Sequence, residues 1–151
     1  MGNHCRVRVD VEFQERYWYP DDGGEVWVAG YHPVDAAGRF LARDALGDEL
    51  IVAHVAGAVH RPQALASDDA APGRPLTLRP EPENPHDPNA VAVLLASGEP
   101  VGYVPRDVAP LVGAGWSAVV LRERRDSPRD PRTGLTMLLA RDGELELNVR
   151  R

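Results

Sequence analysis

The run Leu76-Thr77-Leu78-Arg79-Pro80-Glu81-Pro82-Glu83-Asn84-Pro85-His86-Asp87-Pro88-Asn89-Ala90-Val91-Ala92-Val93 puts four prolines into ten residues between two apolar segments. Proline fixes φ and lacks an N–H, so residues 80–89 can extend neither a helix nor a strand ladder. Asn84, Asp87 and Asn89 are residue types whose side chains hydrogen-bond the backbone of a turn. Residues 76–79 and 90–96 therefore read as short strands joined by a rigid turn.

Upstream, Leu50-Ile-Val-Ala-His-Val-Ala-Gly-Ala-Val59 reads as a buried strand. Residues 61–66 read as one short helix with Pro62 at its first position, and a Pro/Gly/Asp-rich loop fills 67–75. Downstream, 101–104 is a strand, and Asp107 is placed to cap a helix from Val108 towards Val112 that Gly113 and Gly115 stop. Residues 116–122 read as a strand and 123–134 as a polar, arginine-rich loop. Residues 135–141 and 144–149 then form an expected hairpin across Asp142-Gly143. At the N-terminus, Val7, Val9, Val11 and Phe13 alternate with charged residues, the period of a half-buried strand. With the turn cluster Asp21-Asp22-Gly23-Gly24 and the apolar run 25–31 they predict a long hairpin. Many short strands with two short helices predict a mainly β protein, a small and strongly bent barrel, rather than a parallel α/β sheet.

Composition narrows the function classes. With 151 residues, 43% hydrophobic and 26% charged, the chain can bury a real core. No apolar run reaches the length of a membrane span, so a soluble, cytoplasmic protein without membrane partners is expected. The single cysteine, Cys5, has no internal disulfide partner, and the histidines lack metal-ligand spacing. All 17 basic residues are arginine, which excludes the phosphate-binding loop and Schiff-base chemistry. The net charge of −6 is uneven: residues 1–50 hold five arginines against ten acidic residues, and the remainder is nearly neutral. Clustered arginines there can still offer a face to nucleic acid. Gly115-Trp116-Ser117-Ala118-Val119 is only half of a nucleophile elbow, with an apolar strand where the helix should follow. Glu81, Glu83 and Asp87 are carboxylates that could hold a nuclease metal, but no general base or lysine accompanies them.

Residues 76–93, followed by Pro100-Val-Gly-Tyr-Val-Pro-Arg-Asp-Val-Ala109, closely resemble the HIRAN domain. That family pattern is an acidic-Pro-x-Asn-Pro-aromatic-Asp turn, then Asn-Ala-Val/Ile-x-Val, then Val-Gly-Tyr/His-Leu/Val-Pro. Residues 50–58 also look like its opening strand. The resemblance implies an OB-like or SH3-like β-barrel with two short helices at 50–151, with residues 1–49 as an acidic, aromatic-rich hairpin extension. It further implies a binding module rather than an enzyme, without cofactor or metal, that holds single-stranded DNA ends bearing a 3′-hydroxyl. DNA repair or replication restart is the implied setting, with a separate helicase or nuclease chain as partner.

Carried over by position, Asn84, Pro85, His86 and Asp87 fall on the Asn-Pro-aromatic-Asp motif. Asp87 would accept a hydrogen bond from the terminal hydroxyl, and His86 stands where the family has a stacking aromatic. Tyr103 matches a residue near the terminal nucleotide's backbone, and His60 lies where a family aromatic sits. Arg61 and Arg106 complete the expected DNA-binding set. The alternative is a protein-interaction or self-association module. In that reading residues 1–49, which hold seven of the nine aromatic residues, supply an apolar patch for a partner or a second copy of the chain.

Overall fold

The computed structural model describes residues 6–18, 25–47, 49–113, 115–141 and 143–150. Nine strands form one mixed sheet: β1 (Arg6–Trp18), β2 (Val26–Pro33), β3 (Leu50–His54), β4 (Pro75–Pro80), β5 (Val91–Leu95), β6 (Pro100–Tyr103), β7 (Ser117–Arg125), β8 (Arg132–Ala140) and β9 (Glu144–Val149). The helix α1 (Pro62–Leu65) is a single turn that begins on proline, as expected, and buries Ala64 and Leu65. Among the described residues, no helix is long and apolar enough to cross a membrane.

Strand β7 is the hub. It pairs β8 along its length, β4 at Pro75 and Leu76, and β2 from Trp27↔Arg125 to Gly30↔Arg122. The sheet runs β6-β5-β4-β7-β2-β1-β9, with β8 on β7 and β3 on β8. Alternate residues of β3, β7 and β8 enter two different cores. Ala53, Ala118, Val120, Met137 and Leu139 join one cluster, with Val93, Leu95 and Val101. Val52, Val119, Leu121 and Leu138 join the other, with Val9 and Val11. These three strands are thus covered on both faces, which is why they read as nearly continuous apolar runs.

That second core explains two departures from expectation. The strands around Asp142-Gly143 do not form a hairpin. Both edges of β8 are already taken by β3 and β7, so β9 runs parallel to β1, from Arg6↔Glu144 to Val11↔Val149. Leu145 and Leu147 then pack on the second core. The N-terminal hairpin does form, with Phe13↔Tyr31 and Tyr17↔Trp27 in register; its turn at 21–24 lies outside the described residues. It joins the main sheet through β2 and covers the second core.

Three boundaries also shift. The strand expected over 50–59 ends at His54, because Gly57 takes a left-handed φ of 75° and opens a 3-10 turn over Ala58–His60. The expected Asp107-capped helix is a 3-10 turn over Ala109–Leu111 with no side-chain cap. The amides of Val108 and Ala109 both bond the Pro105 carbonyl, so the turn is set from Pro105 rather than from Asp107. The expected polar loop 123–134 is mostly strand. The Glu123 carboxylate accepts from the guanidiniums of Arg125, at 2.9 Å, and Arg132, pairing β7 with β8 across charges that alone resemble a solvated loop. Arg132 also donates to the carbonyls of Leu65 (2.7 Å) and Ser67 (2.9 Å), tying the end of α1 to the sheet.

The fold is mainly β, as expected, built as an open mixed sheet. A strand ladder closing a barrel is not seen among the described residues; instead Ala56 and Tyr103 form an isolated bridge through two hydrogen bonds of 2.8 and 2.9 Å. Gly102 permits this approach: a Cβ there would overlap the Ala56 carbonyl oxygen and lie 2.6 Å from Val55 Cγ1.

Candidate nucleic-acid interface

The turn between β4 and β5 is held by its own side chains. Asn84 Oδ1 accepts from the amides of His86 (2.9 Å) and Asp87 (3.2 Å), and Asp87 Oδ1 accepts from the amide of Asn89 at 2.9 Å. Its base is closed by backbone bonds from Glu81 N to Ala90 O and from Asn84 N to Glu81 O. Side-chain bonds of this kind, with four prolines, fix the turn before any ligand arrives.

This turn, the Ala56–Tyr103 bridge and the segment after β6 enclose a hollow of about 340 Å³. Asn84, His86, Asp87, Tyr103 and Arg106 line it, five of the seven residues expected at the site. His60 and Arg61 do not. They lie at the junction of the 3-10 turn and α1, although the Arg61 charge still reaches the Tyr103 phenol. His86 is exposed. Asp87 Oδ2 has Arg106 Nε at 3.9 Å, beyond hydrogen-bond distance, and the Arg106 side chain is 82% exposed. Asp87 thus spends one oxygen on the turn and keeps the other beside the hollow.

Glu81, read in the sequence only as a possible metal-holding carboxylate, organises the site. Its Oε1 accepts from the Tyr103 hydroxyl at 2.9 Å and from Asn84 Nδ2 at 3.0 Å, and Oε2 lies 3.7 Å from Arg79. The Asn84 and Tyr103 hydrogen bonds hold the Glu81 carboxyl below its usual pKa, and the Glu81 bond raises that of Tyr103. Tyr103 therefore stays a protonated donor whose ring is braced across the hollow. The spacing of Glu81 three residues before Asn84 was the available signal. No group of three or more metal-ligating side chains occurs among the described residues. Ser117, from the incomplete elbow, donates to the Gly143 carbonyl at 2.6 Å.

A rigid turn and a braced aromatic thus line one hollow of a small β module. Residues 49–132 match the HIRAN domain family, and the chain belongs to that family. HIRAN domains are DNA-binding modules rather than catalytic ones, and membership supports a DNA-binding role for this chain. The structure is also similar to the crystal structure of the HIRAN domain of human HLTF, with a TM-score of 0.41 and 19% identity over 63% of this chain and 78% of that one. No curated protein matches.

Proposed function

We propose that the chain binds single-stranded DNA at its 3′ end, with Asp87 as acceptor for the terminal 3′-hydroxyl. The observation that carries this reading is the division of labour at Asp87. Oδ1 is held by the Asn89 amide, which fixes the carboxylate, while Oδ2 has only the loose Arg106 pair and borders the hollow. A hydroxyl donating to a carboxylate makes a charge-assisted bond. A terminal phosphate at the same place meets like charge. The exposed His86 ring and Tyr103 flank the last nucleotide, and the extended Arg106 side chain serves its phosphate. A grip on one or two nucleotides needs few phosphate contacts, which suits a protein of net charge −6.

Fluorescence anisotropy with oligonucleotides differing only in a 3′-hydroxyl or 3′-phosphate tests the proposal. Tighter binding of the hydroxyl end, lost in Asp87→Ala, is expected; equal binding of both ends, or unchanged affinity in the variant, refutes it. The cellular setting we propose is repair or replication restart, in company with a separate helicase or nuclease chain. The division at residue 50 is then functional: residues 50–151 carry the end site, and residues 1–49 extend the sheet.

A second reading rests on the exposure of Phe13, Tyr17 and Trp18 on β1, at 46%, 42% and 52%. Self-association through this hairpin would bury them, and light scattering of the full chain across concentration distinguishes a dimer from a monomer.

A further inference from the structure

Two hollows share lining residues, and the end-binding hollow is flanked by chain neighbours of one of them. Ala56 lines the end-binding hollow, and its neighbours Val55 and Gly57 line a second of about 420 Å³. Arg124 and Thr136 line both that second hollow and a third of about 290 Å³, which Arg16, Trp18, His32 and Arg122 complete. The register puts these side chains on one face. Arg16 pairs with Val28 and Val28 with Arg124, while Arg122 lies two residues from Arg124 and opposite Thr136.

Asp126 lines the second hollow beside Arg124, but the far end of this groove is positive. Neither Arg16 nor Arg124 has an acidic partner within ion-pair distance among the described residues. Glu123, which also borders the third hollow, is neutralised by Arg125 and Arg132. Arg122 donates to the Tyr31 carbonyl at 3.0 Å and lies 3.4 Å from His32 Nδ1. A guanidinium is donor only, so that contact makes Nδ1 the acceptor and puts the ring proton on Nε2. Nε2 is buried without a partner among the described residues, so its N–H dipole adds to the positive field. Trp18, half exposed at the groove wall, offers a ring face against which a base can stack.

We infer that this groove carries the DNA strand on the 5′ side of its bound end, with Arg124 and Arg16 on the phosphates and Trp18 against a base. The N-terminal hairpin, which lies outside the family-matched segment 49–132, thereby lengthens the footprint. The inference rests on the end-binding reading and adds a second, length-dependent component to it. On a single strand each phosphate contact contributes about 0.7 to the salt slope, or about fourfold in affinity at 0.15 M salt. Two contacts are therefore worth about fifteenfold.

Anisotropy with a 3′-hydroxyl dodecamer, and competition by the matching trinucleotide, test this on the full chain. The wild type should bind the dodecamer at least about fifteenfold more tightly, with any stacking on Trp18 adding to that. The double variant Arg16→Ala/Arg124→Ala should lose about fifteenfold of that gain and about 1.4 of the salt slope, with trinucleotide affinity unchanged. Trp18→Ala should weaken only the dodecamer. An NMR titration of the His32 ring should move upward when the dodecamer, but not the trinucleotide, is bound, because phosphates offset the neighbouring guanidiniums. A dodecamer no tighter than the trinucleotide, or a gain retained in the double variant, overturns the groove. If Asp87→Ala still weakens both lengths in that case, the end site stands without it. Wild-type binding of neither length removes both readings. A polyglutamate peptide that displaces the dodecamer as well as unlabelled DNA does would assign the groove to an acidic polypeptide and overturn the inference.

Discussion

His32 makes the fold sensitive to mild acid. Burial is the largest cause of its low pKa, followed by the Arg122 and Arg16 charges, and together they lower it from 6.5 to about 4. Its ring packs 5.3 Å from Phe40. The folded state thus holds the neutral ring, while the unfolded chain takes up a proton below pH 6.5. The contribution to stability is complete above pH 6.5 and is lost as pH falls towards 4. The full shift corresponds to about 3 kcal/mol; the ring is only partly buried and solvent screens the two arginines, so about 1–2 kcal/mol is expected. His32→Phe keeps a ring against Phe40 and removes the titration. Urea denaturation of both proteins from pH 7.5 to 4.5 isolates the effect, because the other histidines and the carboxylates cancel in the difference. Wild-type stability should fall by about 1–2 kcal/mol relative to the variant across that range. Parallel curves, or an NMR pKa for His32 near 6.5, would refute the reasoning.

Gly102→Ala should cost about 2–4 kcal/mol, since its Cβ would overlap the Ala56 carbonyl; thermal unfolding reads this, and amide exchange at Tyr103 should accelerate as the bridge opens. Glu123→Ala leaves the Arg132 guanidinium, 12% exposed, without its acidic partner, at a cost of about 3–5 kcal/mol in urea denaturation. Arg39→Ala, which breaks an exposed pair with Asp35, should cost under about 1 kcal/mol in the same assay. Tyr103→Phe removes one of the donors that depress Glu81, so the Glu81 carboxyl should titrate at higher pH by carbon-detected NMR; an unmoved titration would contradict the assigned hydrogen bond.

What was legible in the sequence is what short-range chemistry controls. The β4–β5 turn follows from prolines and Asx side chains that act within three residues, and the Val-Gly-Tyr strand from its close pairing. Five of the seven residues expected at the site duly line one hollow. The errors share another cause, which is occupancy of strand edges. Asp142-Gly143 between two alternating runs has the local form of a hairpin, and nothing within ten residues reports that β8 already pairs on both sides. Residues 123–134 likewise read as loop because Arg125, Arg132 and Glu123 look solvated one at a time. Their partnership is visible only once β7 and β8 lie side by side. The bracing role of Glu81, read only as a possible metal ligand, was not visible because its hydrogen bond to Tyr103 spans 22 residues.

The charge pattern gives the two-core arrangement a functional sense. An acidic chain repels nucleic acid at long range, so binding depends on where its arginines stay unpaired. Arg125 and Arg132 are consumed by Glu123 in holding β7 to β8. That same pairing neutralises the carboxylate that would otherwise sit among Arg16, Arg122 and Arg124. The structural ion cluster and the positive groove are therefore coupled. Removing Glu123 would destabilise the sheet, while removing Arg125 would leave Glu123 paired with Arg132 alone, take one positive charge from beside the groove and weaken long oligonucleotides more than short ones. The hairpin that covers the second core also carries Arg16 and Trp18 to the groove wall, so the segment that completes the fold is the one that would extend its reach along a strand.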